Sequence, residues 1–253
     1  MLIIMSELRK LKHSKVLFGI FLLILAFVVY AQYDAATTGI TSKGYIVSIT
    51  LAFFNNLGLI LAYVLGAMIY YQDDAWNTFQ HMLTGRVSRN QVVGYKLLTI
   101  VAGNAGVEIV FIVFALAIHV ITGRPVDRLL PEQFVIQAAI TFINLNMWGI
   151  IAFAITTVTK SITLGILIPF VFTNFEMLVY PYCSKVLLRF LPNYHIRSML
   201  TSSFNNLKSG SMIVFQDTGN RDGWMTHFLY VLIVVGIMIA IVFFGFRKEE
   251  VKS

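Results

Sequence analysis

Residues 72–96 read QDDAWNTFQHMLTGRVSRNQVVGYK, a polar interruption between two long apolar runs. The first half has a helical pattern. Ala75, Trp76, Phe79, Met82 and Leu83 share one face at helical spacing, and Asp73, Asn77, Gln80, His81 and Thr84 share the other. A two-faced segment tethered at both ends to apolar runs suits a membrane surface, with its polar side in water.

Working outward, the flanking runs decide the class. The chain has 253 residues, 58% hydrophobic and 12% charged, against roughly a quarter charged in a soluble domain. Apolar runs cover 16–33, 46–71, 97–122, 134–158, 162–180 and 228–246. Each is close to or above the ~20 residues a helix needs to cross the hydrocarbon layer. Lipid offers no partner to backbone N–H and C=O groups, and these runs lack the alternation of barrel strands, so helices are expected. The expected fold is an all-α integral membrane protein, one transmembrane domain over 1–253 with six spans and an external loop at 181–227. Lys15, the run that follows it and Val29-Tyr30-Ala31 have the outline of a cleaved leader. The length of that run and the five runs after it favour a retained first span.

The net charge of +7 is read as membrane-surface lysine and arginine rather than as a nucleic-acid footprint. With six spans both termini share a side. The segments on that side hold 11 Lys and Arg in 50 residues, against 8 in 70 on the other. The bias puts both termini, and residues 72–96, in the cytoplasm. Met1, Ile4, Met5, Leu8 and Leu11 form an apolar stripe flanked by Arg9, Lys10, Lys12 and Lys15, the pattern of a short interfacial helix on anionic lipid. Ser14 is placed to cap the first span. In the external loop, 185–191 is apolar on one side, Pro192 and Asn193 read as a break, and 195–207 suits a second short helix.

Ionisable and amide groups inside spans mark helix contacts or a substrate pathway. Glu108 lies in the third run and Glu176 in the fifth, shortly after Pro169, which is expected to bend its helix. Asn55, Asn56, Asn104, Asn144, Asn146 and Asn174 are the amides. Glu108, Glu176, Asn55 and Asn174 are the candidates for a pathway or gate, each with an interhelical hydrogen bond as its alternative. The single cysteine, Cys183, excludes an intramolecular disulfide and multi-cysteine metal sites, and no metal site is expected. No H-E-x-x-H, G-x-S-x-G or P-loop occurs, so no catalytic residue is assigned. Transport coupled to ions through Glu108 and Glu176 is one reading of such a chain.

A second reading comes from resemblance. Ser6-Glu7-Leu8-Arg9-Lys10-Leu11-Lys12 precedes the first run. Between the second and third, Asp73-Asp74, Thr78-Phe79-Gln80-His81-Met82-Leu83, Val87-Ser88-Arg89 and Gly94-Tyr95-Lys96 follow in order. This resembles the permease subunits of ABC-2 type transporters, especially small bacterial six-span ones tied to peptide export or self-protection against peptide antibiotics. Asn77-Thr78 stands where that family more often has Gly-Thr. The resemblance implies a plasma-membrane half-transporter that pairs with a second copy or a related permease. It also implies a separate nucleotide-binding ATPase that holds the ATP and Mg2+. Residues 1–15 would be the elbow helix and 73–89 a coupling helix. Asp73, Asp74, Trp76, Phe79, Met82, Leu83, Arg86 and Arg89 would be its ATPase contacts.

Overall fold

A chain surrounded by lipid must satisfy its backbone within each segment, and the helix ends show how this sequence does so. The computed structural model describes residues 57–75, 88–121, 131–179, 182–204 and 224–248, with Gly19, Leu22, Leu23, Ala26, Val29 and Tyr30. The helices are α1 (Leu57–Ala75), α2 (Arg89–Ile121), α3 (Pro131–Thr159), α4 (Ile162–Val179), α5 (Lys185–Leu188), α6 (Pro192–Phe204) and α7 (Trp224–Lys248). No strand occurs among the described residues.

The described secondary structure of this membrane protein is all helical. Asn90–Phe114, Ala138–Thr159 and Trp224–Gly245 are long and apolar enough to cross a bilayer, and Gly58–Tyr70 and Ile162–Glu176 are shorter apolar stretches. The expected interfacial helix at 1–15, most of the first run, the segment 76–87 and residues 205–223 of the external loop lie outside the described residues.

Two boundaries differ from the sequence expectation, for identifiable reasons. The third run was placed from residue 97, yet α2 begins at Arg89. Ser88 Oγ accepts the Gln91 N–H at 3.4 Å, and Gln91 Oε1 accepts the Ser88 N–H at 3.0 Å. This reciprocal capping box starts the helix well before hydropathy rises. The break expected at Pro192 and Asn193 falls at 189–191 instead, since α5 ends at Leu188 and α6 starts at Pro192. Proline is suited to the first helical position, where its missing N–H would have no partner anyway. Pro131 opens α3 in the same way. Ser161 and Ser184 hydroxyls accept N–H groups of Leu164 and Leu187 at the starts of α4 and α5.

α3 is the axis of the bundle. It packs against α1, α2, α4, α6 and α7, most extensively against α1. Its apolar stretch is 72% buried, against 28% for that of α2 and 11% for that of α7. α1 and α3 lie side by side in the same direction, with Tyr63 beside Trp148 and Tyr70 beside Phe153. Between these pairs Gly66 meets Gly149, and a Cβ added to Gly66 would run into the Gly149 carbonyl. Small residues are what let two helix backbones approach so closely. At the α3–α4 turn, a Cβ on Gly165 would collide with the Thr156 hydroxyl. The outward faces carry apolar side chains, including Ile109 and Val113 on α2, Phe175 and Leu178 on α4, and Ile233 and Phe244 on α7, as a lipid-facing surface requires.

Gly66→Ala and Gly165→Ala should each lower the thermal unfolding temperature of the purified protein, by forcing backbone out of register. Gly236→Ala, where a Cβ meets nothing within 4 Å, should be neutral or slightly stabilising, by up to ~1 kcal/mol. Thermal denaturation followed by size-exclusion chromatography in detergent measures all three.

Candidate functional site

Polar groups collect in the bundle at two levels. The first lies where α2 and α3 run antiparallel. Asn104 Nδ2 donates to Leu145 O at 3.2 Å and to Asn146 Oδ1 at 3.3 Å. One turn further along α2, Glu108 Oε1 accepts from Thr141 Oγ1 at 3.0 Å. The same hydroxyl is 2.8 Å from Ala138 O. Glu108 and Asn104 are buried, and both bridge α2 to the axial helix.

The second level is larger and joins α1, α3, α4, α6 and α7. Trp148 of α3 is fully buried. Its indole N–H donates to Asn193 Oδ1 on α6 at 3.1 Å, and its ring lies against Tyr63 of α1 and Phe172 of α4. Tyr63 OH and Thr173 Oγ1 are 2.7 Å apart. Thr173 spends its one proton on Pro169 O, so Tyr63 donates to Thr173.

Glu176 holds the start of α6. Its Oε1 accepts the Tyr194 N–H at 3.0 Å, and Arg197, one turn along α6, lies within electrostatic range. A carboxylate at a helix N-terminus takes up a donor without an intrahelical partner and meets the positive end of the helix dipole. Glu176 Oε2 and Asn193 Nδ2 are both buried, and the backbone and side-chain donors of Asn193 also face the Glu176 carboxyl.

A histidine pair completes this level. His195 Nε2 is 2.8 Å from Arg189 O, and His195 Nδ1 is 2.9 Å from His227 Nδ1. A carbonyl only accepts, so His195 carries its proton on Nε2. With His195 neutral, its Nδ1 accepts and His227 donates from Nδ1. His195 also stacks on Tyr230 at 3.8 Å between ring centroids, and Tyr230 OH donates to Phe190 O at 2.7 Å. α6 is thereby pinned to α7 and to the segment that precedes it.

A profile of the ABC-2 family transporter proteins matches residues 3–176. The chain belongs to that family. The match takes in residues 72–96 and ends at Glu176, so α5, α6 and α7 lie beyond it. No match was found among curated proteins. Membership makes the chain a permease of an ABC transporter, and such permeases work with an ATPase.

The permease's candidate residues fall in different places. Glu176 sits at the second level and Glu108 at the first. Asn174 is exposed on α4, its Nδ2 bonded to Phe170 O at 2.7 Å. Asn144 Oδ1 is buried without a partner. Asn55 lies outside the described residues. Asp73 and Asp74 belong to the last turn of α1 and Arg89 opens α2. Trp76, Phe79, Met82, Leu83 and Arg86 lie outside the described residues. Sequence reasoning missed Trp148, Asn193, His195 and His227 as a group. The available signal was polar side chains at 193 and 195 beside Pro192 and at 227 beside the last apolar run; nothing in the sequence joins them to Trp148, 45 residues before Asn193.

Asn193→Leu should destabilise the permease by about 1–3 kcal/mol, because it strands the buried Trp148 N–H. Glu176→Gln keeps an oxygen for the Tyr194 N–H and should be milder than Glu176→Ala. Hydrogen exchange at 192–204 distinguishes the two, with faster exchange expected in Glu176→Ala.

Proposed function

We propose that this permease is the transmembrane half of an ATP-driven exporter in the bacterial plasma membrane. It has six spans and cytoplasmic termini, an elbow helix at 1–15, and a coupling helix at 73–89. It pairs with a second copy or a related permease. ATP and Mg2+ are held by the ATPase subunit, and this chain performs no hydrolysis. The cargo is amphipathic or hydrophobic, of the peptide or antibiotic class, because the polar levels are small and surrounded by aromatic and aliphatic side chains.

The family match across residues 3–176 carries this reading. The helix boundaries support it. α1 runs into the segment at Ala75 and α2 leaves it at a capped start, so a short stretch is held between two helices. A two-faced stretch of that kind suits a groove on a partner. Trp76 and Phe79 are its anchors, since buried aromatics dominate such contacts.

Trp76→Ala and Phe79→Ala should each weaken association with the ATPase about ten-fold or more, while the protein still inserts and unfolds at its normal temperature. Co-purification and titration of labelled ATPase against permease in nanodiscs measure this. Unchanged association removes the coupling assignment. Transport that survives ATP depletion and follows pH instead would favour ion coupling through Glu108 and Glu176.

A further inference from the structure

Two lysines from different elements grip neighbouring residues of α1. Lys96 of α2 is buried, and its Nζ donates to Ile69 O at 2.9 Å. That carbonyl lies about two turns before Ala75 and accepts the lysine on the lone pair that its helical hydrogen bond leaves free. Lys160 reaches over from the α3–α4 turn. Its Nζ donates to the Tyr70 hydroxyl and lies 4.7 Å from the Tyr70 ring centroid. Tyr70 is buried and packs on Phe153 of α3 at 6.4 Å between centroids.

The backbone at Lys160 shows what this contact overrides. Lys160 has φ 56, and its N–H returns to Thr156 O at 2.8 Å. This is the left-handed cap that ends many helices, and glycine is favoured there because a Cβ costs roughly 1 kcal/mol or more. A long side chain at such a position needs another reason. Here it is the reach to Tyr70, six residues ahead of Trp76.

We propose that Lys96 and Lys160 are positioning residues that form a two-point clamp on the end of α1. The clamp makes α1, α2 and the α3–α4 turn move together when the segment at 73–89 is displaced. Without it, α1 would turn or slide on its glycine contact with α3 and leave the rest of the bundle behind. The proposal rests on the reading of 73–89 as the ATPase contact.

The test uses the full permease in nanodiscs with the P-loop ATPase that co-purifies with it. A fluorophore is placed on Cys183, the one cysteine, half-buried between α4 and α5. The readouts are complex formation, ATP hydrolysis, and the fluorescence change at Cys183 on trapping with ATP and vanadate. Lys160→Gly suits the left-handed turn and keeps the fold; Tyr70→Phe keeps the ring. Each should cut the fluorescence change about five-fold with association and hydrolysis intact, a typical size for coupling between sites. The double variant should be no worse than either single one, and Lys160→Arg should restore the signal. Lys96→Met, which keeps the stem and loses the donor, should act in the same direction. Variants that respond like the wild type overturn the clamp, as does a wild-type complex that forms but shows no change. A complex that Trp76→Ala leaves fully intact overturns the reading of 73–89 itself, a separate and recognisable outcome.

Discussion

Where Gly66 meets Gly149, two helix backbones approach more closely than any side chain allows, and the remaining contacts are arranged around that line. The residues on either side of it in α3, Trp148 and Phe153, receive the aromatic partners of α1. Because α1 lies so close, α3 can be enclosed on its other sides by α2, α4, α6 and α7. The hydrophobic effect gives little reason for helices to associate in lipid. Close packing and polar bridges have to provide it, and the bundle supplies both along one helix.

Polar bridging is distributed by depth. Asn104 and Glu108 hold α2 to the axis. Trp148 and Glu176 tie in α6, a helix too short and too polar to stand in lipid alone. Thr156 and Thr157 of α3 return their hydroxyls to their own helix, to Ala152 O and Phe153 O, and so add no demand. α6 is the most dependent element. Its first residues touch three other helices and its apolar residues Ile196 and Met199 enter the main core, so its place is set by others.

The class of fold was legible because long apolar runs admit one solution in a bilayer. The runs at 134–158 and 162–180 fell within a few residues of α3 and α4, since hydropathy and helix ends coincide there. At α2 they do not coincide, because Ser88 and Gln91 close the helix end by hydrogen bonds that a hydropathy pattern does not register. Glu108 and Glu176 stood out as carboxylates in apolar sequence. Their partners did not, since Thr141 is 33 residues and Tyr194 18 residues away, and only the packing brings them together. His195 and His227 are ordinary near a span boundary until folding aligns their rings. Lys160 reads as a solvated turn residue, and its left-handed backbone is invisible in the sequence.

The early start of α2 has a mechanical consequence. Its 33 residues amount to about 50 Å of helix, while the hydrocarbon layer is about 30 Å thick. Even with tilt, a length of this helix stands clear of the lipid as a mast. Masts of this kind usually fray at the tip, where N–H groups lack partners. This tip is stitched by two reciprocal bonds, so a push applied ahead of Ser88 meets a stiff end rather than an unwinding one. On the coupling role proposed for residues 73–89, a push there arrives at the level of Asn104 and Glu108 with little lost to bending.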